Sequence, residues 1–572
     1  DRVVPGPVLY HPDLQDPEGD AVLPVYPATE GFGQKQIRAL VRAALAAAGG
    51  AVEDRVPADV RRRLALQPYA EALFRLHNPE AGDDLGALRA GVTDAHRAVL
   101  FQELFGLQVA LARRRRTVRS RPGTCFQPRP GIEGRVLDAL PFQPTGAQRR
   151  AVADIHADLA SGRPMCRLLQ GDVGCGKTLV AVLGALPVLE AGAQVAVMAP
   201  TEVLADQHLR TFRAVLEPLG FRVELLAGSL RARPRRQVLD HCAAGTAHVC
   251  VGTQALFQGD VSFRDLGLIV IDEQHRFGVD QRAALAEKGG RPGAAHPHLL
   301  AMTATPIPRS LALTLYGDLD LTVIDELPPR GEVVTRVVPD GRRHEAYARA
   351  REAAVAGRGV FVVYPLVEAS ESLDARDAVS MAEELATGPL AGVPLALLHG
   401  RMDPFEKDRV LDAFRRGDVR VLVTTTVVEV GVDVRDATCM VIEGADRFGL
   451  AQLHQLRGRI GRNQEPGLCL LVARAGRGAD RLKVLERTRS GFDIAEEDLR
   501  ARGPGDVLGT RQAGRPAFAL AAHPGFSRVL AAARREAFAL VDGPGFDDDP
   551  ALAGLRADVR RHWARSLHLH AG

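Results

Sequence analysis

Residues Gly171-Asp-Val-Gly-Cys-Gly-Lys177-Thr178 constrain this chain more than any other stretch. They follow an apolar run and lead into a helical pattern. Glycines at 171, 174 and 176 let backbone N–H groups turn inward toward an anion. The helix that follows presents its positive N-terminal end to the same anion. Lys177 is placed to reach the β- and γ-phosphates of a nucleotide and Thr178 to ligate Mg²⁺, which makes Mg²⁺-ATP the expected cofactor. A chance glycine turn is disfavoured because strand, loop and helix occur in that order.

The surroundings fit such a loop. Apolar runs at 165–169, 194–199, 247–251, 266–271 and 298–302 alternate with helical stretches, and each ends in a polar or glycine-containing loop. That rhythm predicts a parallel sheet covered on both faces, with functional residues at the carboxyl ends of its strands. A proline-rich break at 327–331 is followed by runs at 360–364, 395–398, 419–424, 438–442 and 468–472, a second α/β domain of similar size. The expected boundaries are 1–30, a proline-rich strand segment; 31–130, a helical connector; 131–330 and 331–480, the two α/β domains; and 481–572, a helical hairpin and C-terminal region.

Asp272-Glu273-Gln274-His275 closes the apolar run at 266–271. A carboxylate at the end of a buried strand needs a partner. Beside a phosphate loop that partner is Mg²⁺ for Asp272, while Glu273 is the candidate to orient and deprotonate the attacking water. Far downstream, Gln455-Leu-Arg-Gly-Arg459-Ile-Gly-Arg462 sets two arginines three residues apart. On one helix they would share a face and act as arginine fingers on a γ-phosphate. A nucleotide held by the first domain and touched by the second would open and close a cleft, as a motor does.

Further strand ends carry small polar residues: Pro200-Thr201, Gly252-Thr253, Thr303-Ala-Thr305 and Thr424-Thr425-Thr426. Each has a plain reading as a helix cap. Together they suggest a track of hydroxyls and N–H groups for polynucleotide phosphates. Thr145 and Gln148 precede the phosphate loop, and Gln148 is read either as an adenine reader or as part of a turn and cap. Gly431 and Asp433 follow the threonine run, with Asp433 a candidate for ribose or for the arginines. The basic run Arg113 to Arg116, with Arg119 and Arg121, is either a solvated helix end or a DNA-backbone contact.

Composition excludes other classes. The chain has 572 residues, 46% hydrophobic and 25% charged, with a formal net charge of +3. That is ordinary for a globular protein and too weakly basic to announce nucleic acid by itself. Seven cysteines without a CxxC pair argue against a disulfide framework or structural zinc, and the cytosol is the expected compartment. Nothing reads as a membrane span. The chain begins Asp-Arg-Val-Val, without Met, and is expected to be a fragment lacking an N-terminal portion.

The ordered motifs, with Asp272-Glu-Gln-His-Arg-Phe-Gly-Val279 and Gly491 to Gln512 (including Arg502-Gly-Pro-Gly), resemble the RecG family of branch-migrating DNA helicases in superfamily 2. Leu23 to Gly31 and Leu76-His-Asn-Pro79 fit as well, so the resemblance spans nearly the whole chain. It implies two RecA-like motor domains, and activity on branched DNA at stalled replication forks and Holliday junctions during recombination and repair. It also implies a monomeric bacterial enzyme, cytoplasmic and nucleoid-associated, with a single-strand DNA-binding protein as a candidate partner. Residues 491–515 match the family's translocation motif, in which Arg502 and Gln512 would pass ATP-driven closure to a DNA-gripping loop. There are two departures. Only the last stretch of the family's N-terminal wedge domain is expected here, at 1–30, and Ala513 stands where the motif usually has serine. The other readings weighed are a transcription–repair coupling translocase, an ATP-gated DNA-binding switch and a small-molecule P-loop kinase. The kinase leaves the second α/β domain unexplained.

Overall fold

The computed structural model describes residues 13–15, 23–26, 33–48, 52–80, 82–129, 131–273, 295–304, 317–329, 331–365, 371–399, 402–425, 437–461, 465–474, 476–502 and 525–562. The chain divides into two compact units, one of residues 1–120, 308–319 and 502–572, the other of 121–307 and 320–501.

The first unit opens with a short antiparallel pair, β1 (Asp13–Gln15) and β2 (Leu23–Val25). Five helices follow: α1 (Gln34–Ala48), α2 (Ala58–Arg63), α3 (Tyr69–His77), α4 (Leu85–Arg89) and α5 (Asp94–Arg119). Thr93 caps α5 by accepting from the N–H of His96, and the helix is buried almost continuously from Ala95 to Ala112. A helix apolar all round must be enclosed by others.

The second unit holds two parallel sheets. In the first lobe, β3 (Cys166–Gly171), β4 (Gln194–Met198), β5 (Val223–Leu226), β6 (Val249–Gly252), β7 (Leu266–Ile271), β8 (His298–Thr303) and β9 (Asp320–Ile324) lie in the order β5-β6-β4-β7-β8-β3-β9. Helices α6 (Ile132–Ala139), α7 (Gly146–Leu159), α8 (Lys177–Glu190), α9 (Glu202–Leu216) and α10 (Ala232–Ala244) belong to this lobe. Strands β4 and β7 are buried at every position, the mark of a sheet sandwiched between helices. The second lobe orders β10 (Val333–Pro339), β11 (Gly359–Val363), β12 (Leu395–Leu398), β13 (Val421–Thr424), β14 (Ala437–Ile442) and β15 (Gly467–Ala473) as β10-β15-β14-β11-β13-β12. Its helices are α11 (Arg343–Val355), α12 (Glu371–Thr387), α13 (Pro404–Arg416), α14 (Leu450–Arg457), α15 (Arg477–Arg487) and α16 (Gly491–Arg502). Every ladder in both sheets is parallel, as the alternating apolar runs require.

Two C-terminal helices, α17 (Phe526–Asp542) and α18 (Ala553–His562), return to the first unit, where α17 packs along α5. This packing gives the basic run a role that neither sequence reading foresaw. Arg113 and Arg116 lie 6.0 and 5.5 Å from the centroid of the Phe546 ring, and Arg115 lies 5.4 Å from that of Phe538. Arg116 also pairs with Asp547 and donates to the carbonyl of Val541, and Arg114 pairs with Asp318 at 3.3 Å. These guanidiniums bind their own chain through cation–π contacts and ion pairs, a third role beside the solvated end and the DNA-backbone contact.

Candidate active site

The phosphate loop lies where the sheet predicts it, between β3 and α8. Gly174 and Gly176 adopt φ of +78° and +87°, in the left-handed region that favours glycine. Lys177 is buried, and its Nζ donates to the carbonyls of Gly171 at 2.9 Å and Asp172 at 3.0 Å. Thr178 stands half-buried in the first turn of α8.

Thr145 and Gln148 form a capping box at the start of α7. Gln148 N–H donates to Thr145 Oγ1 at 3.2 Å, and Thr145 N–H donates to Gln148 Oε1 at 2.9 Å. Gln148 Nε2 donates to the carbonyl of Cys175 at 2.7 Å. Both amide atoms therefore hold protein partners. Gln148 thereby braces the phosphate loop. A Cβ on Gly176 would come within 2.2 Å of that amide nitrogen.

Asp272 ends β7 beside Lys177. Its Oδ2 accepts from His208 Nε2 at 2.7 Å and its Oδ1 from the Glu273 N–H at 3.0 Å. Burial raises its pKa, but the His208 hydrogen bond and the charges of His208 and Lys177 outweigh burial and hold the carboxyl below its usual range. His208, on α9, was not singled out from sequence. Its only signal was a histidine on the helix that follows Pro200-Thr201. Glu273 takes φ of +51°, a strain of about 1–2 kcal/mol for a residue with a Cβ. Its Oε2 lies 3.5 Å from the N–H of Ala304, so the ends of β7 and β8 meet. Strain at such a position is a common mark of a working site.

These groups fit a magnesium ion taken up with nucleotide phosphates. Asp272 supplies a hard anionic oxygen, and Thr178 supplies a hydroxyl at a helix N-terminus. Among the described residues no group of three or more His, Cys, Asp or Glu side chains could hold a metal by itself. Magnesium usually binds through one or two protein ligands plus phosphate and water.

The remaining strand-end residues divide. Thr201 caps α9 by accepting from the Leu204 N–H at 3.4 Å. Pro200 precedes it, also half-buried. A Cβ on Gly252 would meet the Leu226 carbonyl at 2.4 Å, so this glycine lets β5 and β6 close up, and Thr253 follows half-buried. Thr303 and Thr425 are buried, at 2% and 5% exposure, so their side chains do not line a polynucleotide track. Thr305, Thr426, Gly431, Asp433, Arg462 and Gln512 lie outside the described residues, as do Gln274 and His275. Arg502 is the last residue of α16.

The arginine pair needs a correction. Helix α14 ends at Arg457, with Gly458 as its cap, so Arg459 stands in the turn beyond rather than on the helix. Gly461 takes φ of +66°. Gln455 is on α14, half-buried. The turn nevertheless abuts the phosphate loop: a Cβ on Gly458 would lie 2.8 Å from Val173 Cβ. Asp172 joins the lobes directly. Its Oδ1 accepts from His454 Nε2 and its Oδ2 from the Gly491 N–H at 3.1 Å.

Comparison with known proteins agrees with this architecture. Residues 145–314 match the DEAD/DEAH box helicase family, and residues 359–464 match the helicase conserved C-terminal domain. The chain is 45% identical over 529 residues to the ATP-dependent DNA helicase RecG of Escherichia coli O157:H7, covering 90% of this chain and 76% of the relative. It is 47% identical over 509 residues to the RecG of Acidithiobacillus ferridurans, covering 88% and 72%. A solved structure of RecG bound to a three-way DNA junction superposes with a TM-score of 0.70 at 38% identity, over 89% of this chain and 66% of that one.

Proposed function

The chain belongs to the RecG family of ATP-dependent DNA helicases, and from that premise we propose that it converts Mg²⁺-ATP hydrolysis into movement on branched duplex DNA. The substrates are stalled forks and Holliday junctions in recombination and repair, the partner class is DNA of three or four arms, and the working unit is a monomer in the bacterial cytoplasm. Single-strand DNA-binding protein is a candidate recruiter to the nucleoid. Among the described residues no helix is long and apolar enough to cross a membrane.

One observation carries the reading: the phosphate loop of the first lobe is hydrogen-bonded to the second lobe through Asp172. A loop that binds phosphate and also grips a second α/β body is positioned to convert a chemical step into relative motion. In this scheme the loop N–H groups and Lys177 bind the phosphates, and Thr178 and Asp272 hold the metal. Magnesium, when bound, neutralises charge on the transferred phosphoryl group. Glu273 orients and deprotonates the attacking water, and Arg459 and Arg462 stabilise charge at the γ-phosphate.

The test is ATPase activity with and without a synthetic three-way junction. Hydrolysis should rise several-fold with junction DNA, and Lys177→Ala should abolish it. A wild-type rate indifferent to DNA sinks the reading.

A further inference from the structure

Asp172 is a carboxylate inside the phosphate loop, only 6% exposed, with no assigned part in phosphate or metal binding. Four groups converge on it. Its main-chain carbonyl accepts from Lys177 Nζ. Its Oδ1 accepts from the N–H of Val173 at 2.7 Å and from His454, and its Oδ2 accepts from the N–H of Gly491. Burial raises its pKa, and the hydrogen bonds from His454, Val173 and Gly491 bring it below the ordinary carboxylate range.

His454 and Arg457 sit one turn apart on α14, 2% and 5% exposed. Arg457 Nη2 lies 2.8 Å from His454 Nδ1. A guanidinium only donates, so Nδ1 accepts, and the ring's proton sits on Nε2, facing Asp172. The imidazole is thus a neutral bridge with fixed direction, from Arg457 to His454 to Asp172. Arg457 also donates to the carbonyls of Leu485 at 2.9 Å, Thr488 at 3.1 Å and Arg489 at 3.4 Å. Those residues form the strap from the end of α15 to the start of α16, and Gly491, at its far end, is the residue Asp172 holds directly. A cavity of about 180 Å³, bounded by Asp172, His454, Arg457, Arg489 and the linker residues Leu327 and Pro328, lies alongside and leaves the strap room to shift.

We propose that Asp172, His454 and Arg457 are positioning residues that tie the phosphate loop to the strap 485–491. Through them, a shift of Asp172 during nucleotide turnover moves the start of α16, and DNA engaged by the second lobe acts back on the loop. The reciprocity is thermodynamic: whatever couples nucleotide to DNA couples DNA to nucleotide. This route differs from the one through Arg502 and Gln512, because it enters at the head of α16. It rests on the motor reading above.

The experiment measures ATP hydrolysis without DNA, hydrolysis at saturating three-way junction, and junction affinity by fluorescence anisotropy. His454→Ala should keep the DNA-free rate and the junction affinity within about twofold and lose most of the several-fold stimulation by DNA. His454→Gln, whose amide can donate to Asp172 and accept from Arg457, should recover part of the stimulation. Asp172→Asn combined with His454→Ala should lose no more than the worse single variant, because one path is cut twice. Stimulation retained in His454→Ala, a loss fully explained by weaker junction binding, or additive losses in the double variant would overturn the relay while leaving the motor reading intact. Absence of stimulation in the wild type would remove both.

Discussion

Gln148 carries two tasks with one amide, and both can be measured. Its oxygen accepts the Thr145 N–H that begins α7, and its nitrogen holds the Cys175 carbonyl of the phosphate loop. Gln148→Ala removes both, leaving a buried carbonyl unpaired, at a cost of about 1–3 kcal/mol. The expected outcome is a lower melting temperature together with a raised KM for ATP. An unchanged KM would mean that the loop keeps its shape without the brace. Gly176→Ala should be more severe, because its Cβ would meet that amide and its φ of +87° is strained for any residue with a Cβ. Adding Gln148→Ala to Gly176→Ala relieves the clash but not the backbone strain of about 1–2 kcal/mol, so only part of the ATP binding should return. Isothermal titration with a non-hydrolysable analogue reads both.

At the scale of elements, the α5–α17 contact makes a prediction that discriminates between the readings of the basic run. Phe546, 2% exposed, faces Arg113 and Arg116. Phe546→Ala should cost about 3–5 kcal/mol by cavity formation, seen as earlier thermal or urea unfolding. Arg116→Ala should also destabilise, yet leave the salt dependence of junction binding unchanged. If Arg116 contacted a DNA phosphate, the slope of log K against log salt would shrink by about 1. The same scale shows what the sequence could disclose. Strands β4 and β7 are buried throughout and read directly as apolar runs. The edge strands β5, β9 and β10 are less legible because half-buried or exposed positions dilute the apolar signal: exposed Arg336 in β10 and half-buried Glu224 in β5 stand where a central strand would carry valine. The phosphate loop and Asp272-Glu273 were legible because their chemistry is local. The clasp of Asp172 by His454 was not, because no periodicity links positions so distant in the chain. Helix α14 stops before Arg459 for a reason legible in the sequence, the glycine at 458.

For the molecule as a whole, both sheets and the phosphate loop belong to one compact unit, and this predicts how nucleotide stabilises it. A ligand that binds only the folded state adds RT ln(1 + [L]/Kd), about 2.7 kcal/mol at a hundredfold excess over Kd. If the loop were anchored to the first lobe alone, that free energy would appear only in the unfolding of that lobe. Asp172 bonds to α14 and α16 of the second lobe, so melting of one lobe removes partners from the other. Differential scanning calorimetry with a non-hydrolysable ATP analogue and Mg²⁺ should therefore raise the main transition as a unit, by about 2 °C or more for a body of this size. Lys177→Ala should abolish the shift, and chelating the metal with EDTA should reduce it, since Thr178 and Asp272 would hold that metal. His454→Ala should split the transition, with the first lobe alone still following the analogue. Two independent transitions in the wild type, only one of them sensitive to nucleotide, would mean that the lobes unfold separately and that the contact at Asp172 carries no energy between them.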